Sequence, residues 1–126
     1  MNKLWIIDDD EIFTFLSKIK LDRTKEFGSV KIFLYADEAL EELKKLVSEG
    51  TTLPSIILLD INMPRMTGWE FLQSLKNFNI DLSSTKIYIL SSSSSHGDQM
   101  KAKEYSVEYF TKPLTDDNIE MIRKYC

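Results

Sequence analysis

The chain is poor in the residues that bind soft metals and form cross-links. It holds one cysteine, Cys126, and one histidine, His96, in 126 residues. A single cysteine closes no internal disulfide, so a reducing compartment is expected. No uninterrupted apolar run exceeds five residues, whereas a membrane-spanning helix needs about 20. Met1-Asn2-Lys3 leads into only four apolar residues before Asp8, too few for a signal peptide. The expectation is a cytoplasmic protein with no membrane partner. Positive charge is not in excess: 16 Lys and Arg face 20 Asp and Glu, a formal net charge of −4. That balance disfavours a nucleic-acid surface. There is no internal repeat and no interdomain linker, so residues 1–126 read as a single domain. The serine run Ser91 to Ser95 is the one low-complexity patch.

What is present is alternation. A chain of this length buries roughly two thirds of its unfolded surface and builds a core without cross-links. Leu4-Trp5-Ile6-Ile7, Val30 to Tyr35, Ile56-Ile57-Leu58-Leu59, Ile87 to Leu90 and Val107 to Thr111 read as strands. Between them lie helical segments. Ile12, Phe15, Leu16 and Ile19 recur at helical spacing. Asp37 is the expected N-cap of a helix with Leu40, Leu43 and Val47 on one face, and Glu41 with Lys45 is an i,i+4 pair. Gly68 to Lys76 carries Phe71, Leu72 and Leu75. A weaker helix ends near Tyr105. Thr115 is the expected cap of the last helix, with Leu114 and Ile119 as its hydrophobic staple. Five strands alternating with five helices predict an α/β fold, a doubly wound parallel sheet covered on both faces.

The strands share a polar ending. Asp8 and Asp9 follow the first, Asp60 the third, Ser91 the fourth and Lys112 the fifth. Open parallel sheets bind ligands beyond the carboxyl ends of their strands, so these residues should converge. Three carboxylates in one crevice should have raised pKa values or a neutralising cation. The ligands on offer are oxygens, with no His or Cys close by in sequence. That suits Mg²⁺, Mn²⁺ or Ca²⁺, and few carboxylates with room for water and phosphate is a Mg²⁺ pattern. Lys112 and the Ser91 hydroxyl are what a phosphoryl group needs. Asp10 reads as a first-turn charge favoured by the helix dipole, and His96 as a solvent-exposed loop residue.

Four segments together carry a resemblance. They are Ile6-Ile7-Asp8-Asp9, then Leu58-Leu59-Asp60-Ile61-Asn62-Met63-Pro64 with Gly68 beyond, then Ile89-Leu90-Ser91-Ser92, and Tyr109-Phe110-Thr111-Lys112-Pro113. In that order the chain resembles the response-regulator receiver family, the CheY-like proteins of two-component signalling, over essentially its whole length. The resemblance implies a flavodoxin-like sheet of order 2-1-3-4-5. It implies Asp60 as phosphoacceptor, with Asp9 ligating Mg²⁺ directly, Asp8 mainly through water, and the Asn62 backbone carbonyl adding a ligand. Ser91 would hydrogen-bond the phosphoryl group and Lys112 would pair with it. Ser92 fills the small-residue position, and Tyr109 matches the family's switch aromatic. Lys112-Pro113 matches a bond that is often cis in this family. The implied protein is not a conventional enzyme but a phosphoacceptor that catalyses its own phosphorylation and dephosphorylation.

A sensor histidine kinase or histidine phosphotransfer protein is the implied donor. With no room for an output domain in 126 residues, output is expected through an unknown downstream protein, unless the chain is an excised domain. A phosphorylation-dependent homodimer is a further expectation. The chain departs from the family pattern at Tyr105-Ser106, where Gly-Ala is common, so a helix C-terminal glycine is missing. It also departs at Ser91, often Thr. Two rival readings fit the residues less well. A Mg²⁺-dependent aspartyl-phosphate phosphatase would want Gly-Thr after the first acidic cluster and a cap insertion, and neither is present. A flavodoxin-like cofactor binder would want a hydroxyl-rich phosphate loop where three aspartates stand.

Overall fold

The computed structural model describes residues 2–92 and 95–125; Ser93 and Ser94 of the serine run and Cys126 lie outside them. The elements are β1 (Asn2–Ile7), α1 (Glu11–Thr24), β2 (Phe27–Phe33), α2 (Ala36–Glu49), β3 (Ile56–Leu59), α3 (Gly68–Asn77), β4 (Lys86–Ser91), α4 (His96–Glu104), β5 (Glu108–Thr111) and α5 (Asp116–Tyr125). The strands form one sheet in the order β2-β1-β3-β4-β5, every pair parallel. This is the expected doubly wound fold. β2 starts earlier than the Val30 expected, because Phe27 pairs with Asn2 at the bulged start of β1.

Period-two alternation divides the sheet's side chains between two cores. Trp5, Ile7, Phe33, Ile57, Leu59 and Ile89 pack with Ala39, Leu40 and Leu43 of α2 and Phe71, Leu72 and Leu75 of α3. Leu4, Ile6, Val30, Leu58, Leu90 and Phe110 pack on the other face, with Leu21 of α1 and Ile119 and Ile122 of α5. β3 is buried at every position, which is why it reads as an unbroken apolar run.

Several local expectations are corrected. The apolar stripe of α1 points outward: Ile12 is 75% exposed, Phe15 61%, Leu16 54% and Ile19 36%. The buried face is Thr14, Ser17 and Leu21. Two of the three are small, and the Thr14 hydroxyl donates to the Glu11 carbonyl at 3.0 Å. In α2 the N-cap is Tyr35, without a side-chain cap bond, and Asp37 lies in the first turn. Val47 is exposed, the buried face being Ala36, Ala39, Leu40 and Leu43. Glu41 pairs with Lys44 at 3.2 Å, three residues on, not with Lys45. His96 is exposed as expected but opens α4.

The caps that hold the crevice end hold well. Asp10 caps α1, accepting from the Phe13 N–H at 3.0 Å. Thr67 and Glu70 form a capping box at α3. Thr115 accepts from the Asn118 N–H at 3.0 Å while Asn118 accepts from the Thr115 N–H at 3.1 Å. Leu114 and Ile119 share one core, as the staple requires. No glycine closes α4: Tyr105, at the family's glycine position, is an ordinary C-cap, and Ser106 after it takes the left-handed region at φ 56°. Its N–H reaches the Lys103 carbonyl at 3.1 Å and that of Val107 reaches Ala102 at 3.0 Å, so the helix end is closed without glycine.

Candidate functional site

Backbone ladders carry the chemistry one residue past each strand. The Asp8 N–H donates to the Phe33 carbonyl at 2.9 Å, the Asp60 N–H to Ile7 at 2.9 Å, and the Lys112 N–H to Ser91 at 2.8 Å. Each bond extends the sheet beyond its last paired residue, so side chains far apart in sequence start from rigid positions. Carboxylate oxygens of Asp8, Asp9 and Asp60 lie within 4.8 Å of one another. Lys112 Nζ sits 2.6 Å from Asp8 Oδ2 and 3.7 Å from Asp60 Oδ2. Asp8 Oδ1 accepts from the Asp10 N–H at 2.9 Å. Asp8 and Asp60 are buried, and Asp9 is exposed at the crevice mouth.

The electrostatics follow from that burial. Asp60 is pushed up to about 6, first by desolvation and then by the Asp8 charge, with Lys112 opposing. Asp8 is also raised, again mainly by burial, which its hydrogen bond to Lys112 partly offsets. One lysine between two buried carboxylates leaves the crevice short of positive charge. An all-oxygen donor set with this deficit fits a hard divalent cation.

The other expected residues lie on β4, β5 and the loops after β3 and β4. Asn62 is exposed, and its N–H points at Asp60 Oδ1 at 3.4 Å. Ser91 is fully buried at the end of β4, paired with Thr111. Ser92 is exposed just beyond it. Tyr109 is half-buried on β5, packed against the α2–α3 core. The Lys112-Pro113 bond is cis.

Gly68 closes the acceptor loop. A Cβ there would lie 2.6 Å from the Asp60 carbonyl oxygen and 2.8 Å from Ile61 Cα, so glycine is needed for close approach. Two residues escaped the sequence reading. Phe13 lies under Lys112, with Nζ 4.3 Å from the ring centroid. Arg65, in the loop after Asp60, reaches across to α2. Phe13 belongs to the helix face that periodicity hid, and Arg65 carried no pattern signal.

A family model for the response regulator receiver domain matches residues 4–123. The chain belongs to the response regulator receiver family. Protein PilG of Pseudomonas aeruginosa is 30% identical over 118 residues, which cover 93% of this chain and 81% of PilG. A two-component response regulator of Cytophaga hutchinsonii has the same fold, with a TM-score of 0.83 and 31% identity over 98% of this chain and 95% of its own. The response regulator TrrA of Thermotoga maritima, solved with Mg²⁺ and a beryllium fluoride, aligns at a TM-score of 0.75 and 23% identity, with 100% of both chains covered. Receiver domains are the signalling phosphoacceptors of two-component systems. No helix among the described residues is long and apolar enough to cross a membrane.

Proposed function

We propose that this receiver accepts a phosphoryl group on Asp60 from a phosphohistidine, in a Mg²⁺-dependent step, and signals by a phosphorylation-dependent protein contact in the cytoplasm. The gathering of three carboxylates and Lys112 at the carboxyl edge of the sheet carries this reading. Asp9 would hold the ion directly, Asp8 mainly through water, and Asp60 and the Asn62 carbonyl would complete the protein's share. TrrA, of the same fold, was solved with Mg²⁺, which supports a Mg²⁺ requirement; the choice of ligands rests on the family resemblance. When bound, the ion supplies charge neutralisation for the carboxylates and the incoming phosphoryl oxygens.

An ionised Asp60 oxygen attacks phosphorus while the P–N bond to the donor's imidazole breaks, its electron pair leaving with nitrogen. Lys112 pairs with the transferred group and the Ser91 hydroxyl donates to one of its oxygens. Ser92 leaves room for its approach. Loss of the phosphoryl group by water attack uses the same residues.

The donor would be a sensor histidine kinase or a histidine phosphotransfer protein. The exposed stripe of Ile12, Phe15, Leu16 and Ile19 stands on the helix that starts beside Asp8 and Asp9. Such a patch marks an interaction surface, and its continuity with the crevice suits the donor. Output would use α4, β5 and α5, where Ala102 is the one buried residue of α4. Motion of Ser91 toward the phosphoryl group, followed by Tyr109, would reshape that face. A downstream protein, or a second copy of this chain, would read it.

Acetyl phosphate with Mg²⁺ should add one phosphate of mass, lost with EDTA and in Asp60→Asn. A shift that persists in Asp60→Asn would refute the acceptor. Leu16→Asp should slow transfer from a phosphohistidine protein while leaving acetyl phosphate labelling intact. Hydrogen exchange with beryllofluoride should change across residues 97–125; change confined to residues 30–47 would exclude this output face.

A further inference from the structure

The loop after the acceptor contains a strained turn. The Met66 N–H donates to the Pro64 carbonyl at 2.8 Å, and Arg65 between them has φ 70°. A three-residue turn with positive φ at its centre is a rare, strained form, and persists only where its surroundings over-determine it. Arg65 is not glycine, so something must hold it.

What holds it lies on another element. Arg65 Nη2 is 2.6 Å from Asp37 Oδ2 and 3.7 Å from Glu38 Oε2, both in the first turn of α2. Its guanidinium carbon is 3.9 Å from the centroid of the Tyr35 ring. A planar cation that pairs with acids while stacking on a ring is a role lysine fills poorly. The pair is exposed, so its contribution is small, but it acts on the loop that begins with Asp60 and Asn62.

We infer that Arg65 is a positioning residue: its contacts with Tyr35, Asp37 and Glu38 tie the acceptor loop to α2 and so hold the Asp60–Asn62 segment in its metal-binding arrangement. This rests on the reading of Asp60 and Asn62 as Mg²⁺ ligands. The signs of two substitutions separate a tie from a simple field effect. By charge alone, Arg65→Ala removes a positive group from an anionic site and should tighten Mg²⁺ binding, while Asp37→Asn should weaken it. A tie predicts that both weaken it.

The test is calorimetric titration of Mg²⁺ into the wild type, Arg65→Ala, Arg65→Gly, Arg65→Lys and Asp37→Asn. The expected result is a Kd about threefold to fivefold weaker in Arg65→Ala and Asp37→Asn, the scale of an exposed ion pair. Arg65→Lys should recover part of the loss. Arg65→Gly relaxes the turn without restoring the tie, so it should stay weak. Wild-type affinity in Arg65→Gly, or tighter binding in Arg65→Ala, overturns the inference. If Arg65→Ala does not fold, an unchanged Kd in Asp37→Asn overturns it instead. A wild type that binds no Mg²⁺ would overturn the metal reading itself.

Discussion

Asp60 is a carboxylate that the metal-free fold strains. Its pKa rises from 3.8 to about 6, so the folded form holds a proton that the unfolded chain has already lost. Asp60's own contribution to stability is then greatest below pH 3.8 and is lost as pH rises through about 6. A shift of this size is worth about 3 kcal/mol if taken in full, and solvent at the crevice mouth reduces it to about 1–2 kcal/mol. Asp60→Asn keeps the shape and removes the charge. In EDTA it should exceed the wild type by about 1–2 kcal/mol at pH 8, and by about half to two thirds of that at pH 4.5. Lys112 keeps its 2.6 Å partner Asp8 in the variant, so no unpaired buried cation offsets the gain. Urea unfolding at both pH values measures it. An equal stability difference at pH 8 and pH 4.5, or a variant less stable at pH 8, would refute the argument.

Mg²⁺ at ten times its Kd should stabilise the wild type by roughly 1.4 kcal/mol, and Asp9→Ala should remove most of that in the same unfolding assay. Gly68→Ala puts a methyl against the backbone of Asp60 and Ile61. It should cost about 1–3 kcal/mol and slow acetyl phosphate labelling. Ser106→Gly relieves a left-handed backbone and should raise stability by about 0.5–1 kcal/mol, net of glycine's added unfolded-state entropy; a lower melting temperature would contradict it.

The sheet and the crevice were legible from sequence because parallel strands buried on both faces leave unbroken apolar runs, as at Ile56 to Leu59. The residue just past each run must then lie at the carboxyl edge, which located Asp8, Asp60 and Lys112 without coordinates. Periodicity could not say which stripe of α1 faces inward. A helix with an apolar stripe at Ile12, Phe15, Leu16 and Ile19 and a small-residue stripe at Thr14 and Ser17 can be packed either way. Tertiary packing buried the small stripe with Leu21 and left the apolar one to solvent. Charge partners were equally beyond the sequence. Lys112 stands nearer Asp8 than Asp60, and Arg65 crosses to Asp37, 28 residues away. Such pairings depend on where loops of different strands meet, which only the assembled tertiary structure decides.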